Sequence, residues 1–156
     1  MAYAGAVVSE LTRVDDAALN PLGTRRIDPN GNEFVYLQGV ADVIAGSWVS
    51  YDEAFLATGL DTDEAASLVG PVAVAQAAVV ANKFGWFQIF GSCQAGSGDV
   101  ADNAKVYATG TVFICDDAAV VGAQVIGAVW RSADASNLAT VQLSYPFVGF
   151  TDTDPE

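Results

Sequence analysis

The 156-residue chain contains no histidine. That absence removes Ser-His-Asp and Cys-His catalysis, and with them any histidine-ligated metal. Basic residues are nearly as scarce, six against 19 acidic ones, for a net charge of −13. Such a surface repels phosphate, so neither nucleic acid nor an anionic membrane is expected as a partner. Charge of either sign is thin, at 16% of residues against about 25% in an average domain. Cysteine occurs only at positions 93 and 115, outside any CxxC spacing, and is read as two thiols in a chain made in a reducing cytoplasm. Long apolar runs are missing too. The longest, residues 71–81, contains Gln76 and is about half a membrane span. Residues 1–16 lack a basic stretch followed by an apolar one, so no signal peptide is expected.

What the chain does have is hydrophobic side chains, 52% of the total, and a mean hydropathy of +0.33. Disorder is excluded, because it needs low hydrophobicity and abundant charge. The length suits one domain that buries about two thirds of its unfolded surface. With so few ions to cover the exterior, some apolar surface is expected to be buried against other chains.

Short apolar stretches separated by turn signals predict an all-β fold. The expected architecture is a compact β-sandwich or barrel-like domain over residues 24–150, with an extended N-terminal arm (1–23), an acidic tail (151–156) and at most one or two short helices. The arm is set apart by weak periodicity and by Pro21 and Gly23; it is either a frayed end or a segment that orders against a neighbouring subunit. Residues 24–27 and 32–38 flank Asp28-Pro29-Asn30-Gly31, a turn sequence that predicts a hairpin. Further strands are expected at 48–51, 71–78, 85–90, 105–108, 111–115, 124–131 and 139–147. In the last of these Val141, Leu143 and Tyr145 share one face. Asp61 followed by Glu64 predicts a capped helical turn.

Chemistry-bearing patterns are weak. A calcium loop counted from Asp61 would need Gly at its sixth position and Glu at its twelfth, where Ala66 and Val72 stand. The glycine-rich stretch 91–98 (GSCQAGSG) has no phosphate-binding Lys-Ser/Thr ending and reads as a flexible surface loop. Nineteen acids will place some pair at glycosidase spacing by chance, so that signal is empty. No catalytic residue, metal or cofactor is assigned. The aromatic run Trp86-Phe87-Gln88-Ile89-Phe90 carries apolar groups on both faces, which fits a central strand or one covered by another subunit.

Several stretches together resemble one family: LGTRR (22–26), DPNGNEFVYLQGV (28–40), GPVAVA (70–75), KFGWFQIFG (83–91), ADNA (101–104) and VIGAV (125–129). The chain resembles the capsid decoration, or cement, proteins of tailed phages. The resemblance implies a β-rich structural virion protein without catalytic residues. It implies a homotrimer bound to the major capsid protein on the outer surface of the head. An acidic surface suits that side, because the interior is packed with phosphate. On this view residues 1–27 contact the shell through Arg13, Arg25 and Arg26, with Leu11 and Leu22 beside them, and Trp86, Phe87 and Phe90 form a subunit interface. Deleting residues 1–23 would then leave a folded domain that no longer occupies capsids. The alternative is a head fibre or spike base that binds a host glycan through Trp48, Trp86 or Trp130.

Overall fold

The computed structural model describes residues 8–67 and 70–149. In chain order these form α1 (Val8–Leu11), β1 (Arg25–Ile27), β2 (Glu33–Gln38), β3 (Trp48–Tyr51), β4 (Ala57–Gly59), α2 (Thr62–Ser67), β5 (Gly70–Ala75), β6 (Phe84–Gly96), β7 (Lys105–Ala108), β8 (Cys115–Asp116), β9 (Gln124–Trp130) and β10 (Leu138–Val148). The all-β expectation with two short helices holds. The strands join in the order β1-β2-β6-β5-β10-β9-β7-β8, with β3 on β5 and β4 on β3. The first seven residues of the expected arm and the acidic tail at 151–156 lie outside the described residues.

The β1–β2 hairpin forms for the reason its sequence gives. Asp28 Oδ1 accepts the backbone N–H groups of Asn30 (2.8 Å) and Asn32 (2.9 Å), and Gly31 takes a φ of +83°. At α2, Asp61 Oδ1 accepts the Glu64 N–H at 2.8 Å as an N-cap. The Glu64 side chain does not close a capping box; it accepts a hydrogen bond from Ser50 Oγ at 3.2 Å instead.

Strand alternation divides the core. Val72 and Val74 of β5 and Trp48 of β3 join Val141, Leu143 and Trp130 in the larger cluster. Their strand neighbours Ala73, Ala75, Val49 and Tyr51 join Val35, Leu37, Phe87 and Ile89 in a second one. Strands β3 and β5 are therefore covered on both faces, which explains why residues 71–75 read as nearly continuous apolar sequence.

Strands β5, β6 and β10 meet at a three-way junction. The first half of β6 pairs with β2 and the second half with β10. Strand β5 pairs with β6 at Gln88 and Phe87, and with the end of β10 at Phe147 and Val148. Ladder bonds are lost where strands part. There the buried Gln88 donates through Nε2 to the carbonyls of Phe90 (3.0 Å) and Ser92 (3.2 Å).

Three local expectations are corrected. The stretch 91–98 is no flexible loop, because Gly91–Gly96 is the second half of β6, paired with residues 138–143 of β10. Its small residues suit a strand packed tightly: a Cβ on Gly91 would sit 1.9 Å from Asn32 Oδ1. The strand expected at 111–115 is a turn, and only Cys115 and Asp116 pair. Thr109 Oγ1 binds the Thr111 N–H and donates toward the carbonyls of Thr111 and Ile114, and Phe113 takes a φ of +71°. Tyr145 does not share the buried face of Val141 and Leu143. A bulge lies between Leu143 and Phe147, Tyr145 has a φ of +49°, and half its surface is exposed.

Candidate functional site

Residues 10–24 lie across one face of β2 and β6. Asp15 and Phe84 exchange backbone hydrogen bonds at 2.8 and 3.0 Å, and the Gly23 N–H donates to the Tyr36 carbonyl at 2.8 Å. Beneath them Leu11, Phe34, Tyr36 and Trp86 form a third apolar cluster, against which Leu22 and Phe84 pack. The described part of the expected arm is thus fastened to its own sheet, and Leu11 is 4% exposed.

One polar knot holds this layer. The Tyr36 hydroxyl donates to Asp15 Oδ2 at 2.6 Å and accepts the Leu19 N–H at 3.2 Å. Arg13 Nε meets the other Asp15 oxygen at 2.7 Å. Burial, then the Asp15 bond, raises the Tyr36 pKa. Around the knot each cation has an acidic mate. Arg26 pairs with Glu10 at 2.8 Å while lying 5.0 Å over the Trp86 ring, Arg25 pairs with Glu33 at 3.2 Å, and Lys83 pairs with Asp16. Lys83 holds the Asp16 carboxyl below its ordinary value, first through their hydrogen bond. The three arginine side chains keep 35–51% of their surface exposed.

The sequence-nominated residues separate into three places. Leu11, Leu22, Arg13, Arg26 and Trp86 gather at the N-terminal layer. Phe87 is fully buried in the second cluster, so neither it nor Trp86, which is 2% exposed, offers area to another subunit. Phe90 is 38% exposed and stands 5.3 Å from the Tyr145 ring. Tyr145 donates to Glu33 Oε2 at 2.6 Å, and Arg25 lies 5.9 Å over its ring. Register puts the exposed Ile27 in the same row, opposite Glu33, which is opposite Phe90. An amphipathic surface patch of Ile27, Arg25, Glu33, Phe90 and Tyr145 results. Tyr145 escaped the sequence reading because strict alternation would bury it, and nothing local marks the bulge.

The glycan platform is corrected: Trp48, Trp86 and Trp130 are 0–2% exposed, so none presents a ring face to a sugar. Trp48 and Trp130 pack edge-on at 5.9 Å in the main core, with their indole N–H groups donating to the carbonyls of Gly96 and Asp116. Cys93 and Cys115 are both free thiols. Burial pushes the Cys93 pKa to about 12 and Cys115 well above its ordinary value. No three His, Cys, Asp or Glu side chains group as metal ligands among the described residues. No helix there is long and apolar enough to cross a membrane.

No protein-family model and no curated protein matches the sequence. Among solved structures the chain is similar to a chain of the capsid of Myoviridae phage XM1. They share 18% sequence identity and a TM-score of 0.52, over 93% of this chain and 99% of that one. The likeness is one of fold, and it spans nearly the whole of both chains.

Proposed function

We propose that the protein is a structural component of a phage head, and specifically a decoration protein bound to the outer surface of the coat lattice. The observation that carries this reading is the end-to-end fold likeness to a chain of a phage capsid. The net charge of −13 supports an outward position, away from packaged phosphate. Exposed apolar side chains give a neighbour something to cover, among them Leu19, Ile27, Phe90 and Tyr145.

The mechanism is mass action. A protein that binds only the assembled lattice stabilises it by its own binding free energy. Joining copies into a trimer multiplies the effect, because the second and third contacts form at high effective concentration. The N-terminal layer supplies the shell contact through the outward halves of Arg13 and Arg26 and the apolar Val14 and Leu19, with Arg25 at the edge shared with the neighbouring patch, while Leu11 and Leu22 hold that layer in place.

Deleting residues 1–23 would uncover Phe34, Tyr36 and Trp86, so charge reversal is the cleaner test. Purified protein is mixed with expanded, undecorated capsids and sedimented. Wild type should pellet at a fixed ratio to the coat subunit. The double variant Arg25→Glu, Arg26→Glu should bind about tenfold more weakly, and more so as salt falls, while Lys105→Glu should bind as wild type. Failure of the wild-type protein to pellet with any capsid would refute the assignment.

A further inference from the structure

We propose that a cleft between the end of α1 and the β6–β10 ladder receives an arginine side chain from a partner protein. The cleft has a volume of about 410 Å³, and its lining includes four amide-bearing residues, Asn32, Gln76, Gln88 and Gln94. Every one of these amides has its NH₂ group engaged in the fold. Asn32 Nδ2 donates to Asp28 Oδ2 at 2.8 Å, and Gln76 Nε2 to the Val74 carbonyl at 3.1 Å. Gln88 Nε2 bridges the Phe90 and Ser92 carbonyls, and Gln94 Nε2 donates to Thr140 Oγ1 at 2.8 Å. Carbonyl oxygens only accept, so for Gln76 and Gln88 the partners fix which end of the amide faces the fold. Among the described residues, none donates a hydrogen bond to the amide oxygen of any of the four.

The amides therefore offer a ligand acceptors, and beside them stands a negative charge. Asp28 is 8% exposed, and its carboxylate accepts three N–H bonds from Asn30 and Asn32. Among the described residues no cation pairs with it. A guanidinium matches these features: five donors, no acceptor, a permanent positive charge and weak hydration. Leu11, Phe34 and Leu138 give its methylene stem an apolar wall. A sugar fits worse, because its neutral hydroxyls bring no charge to meet the Asp28 carboxylate.

The proposal does not depend on the capsid assignment, and its test uses no capsid. The ¹⁵N-labelled full chain is titrated with N-acetylarginine amide, N-acetyllysine amide and methyl α-glucoside, and its side-chain amide signals are followed by NMR. The arginine compound should shift the signals of Asn32, Gln76, Gln88 and Gln94 saturably, at lower concentration than the lysine compound, and the glucoside should not. Asp28→Asn keeps an oxygen for the turn while removing the charge, and should weaken binding about tenfold. Gln94→Met, at an exposed position, should weaken binding with the fold intact. Absent or non-saturating shifts, an equal response to lysine or glucoside, or undiminished binding by Asp28→Asn would each overturn the proposal.

Discussion

At the scale of single residues, the contact between Tyr36 and Asp15 is the most consequential the structure adds. It ties the N-terminal layer to β2 through a carboxylate that is 7% exposed. Tyr36→Phe removes the donor and leaves a buried carboxylate oxygen short of a partner, so it should destabilise the fold by about 1–3 kcal/mol, read from urea midpoints. The buried thiols and phenols set the alkaline limit. Cys93, Cys115, Tyr36 and Tyr51 all have raised values in the folded chain, chiefly through burial, against ordinary values of 9.0 for the thiols and 10.0 for the phenols. Above pH 9 the unfolded thiols ionise while the folded ones stay protonated, so the unfolded state holds fewer protons and stability falls as pH rises. Stability against urea should be level from neutral pH to pH 9 and decline toward about 12, where folded Cys93 ionises. A midpoint unchanged through that window would contradict the burial of these groups. The fully buried Cys115 thiol should also resist alkylation until the chain is unfolded.

At the scale of elements, bulges decide where side chains point. Gly127 of β9 lies opposite the bulge in β10, with a φ of +83°, and a Cβ there would meet the Ser144 carbonyl oxygen at 2.6 Å. Gly127→Ala should therefore cost about 1–3 kcal/mol, visible as a lowered unfolding midpoint, and should disturb the nearby Tyr145 ring signals. An unaltered midpoint would mean that the bulge is not held by this contact. The β1–β2 hairpin, strands β3 and β7 and the α2 cap were legible in sequence because their signals are local: a turn tetrapeptide, an alternation, an Asp at a helix start. Residues 91–98 were not. Their glycines signal a loop in isolation, and only the facing strand β10 makes them a ladder.

At the scale of the whole molecule, the sheet carries two kinds of exterior. The N-terminal layer bears four of the six cations, each paired with an acid, next to exposed Leu19 and Ile27. The patch of Phe90 and Tyr145 lies beside it. If copies associate through this patch, sedimentation velocity should find a trimer for wild type, and Phe90→Ser with Tyr145→Ser should shift it toward monomer with the fold unchanged. A wild-type monomer at all concentrations would remove the trimer from the proposed function.

Fold class follows from local signals in the sequence, since alternation and turn chemistry act between neighbours a few residues apart. The chain's lack of histidine and its acidity likewise narrow the chemistry open to it. Tertiary structure alone decided that Trp48, Trp86 and Trp130 face inward and that residues 10–24 cover β2. It also decided that Tyr145 turns out and that four amides converge on one cleft. Those outcomes depend on which distant strands meet and in what register, and burial is assigned by that meeting rather than by any short stretch of chain.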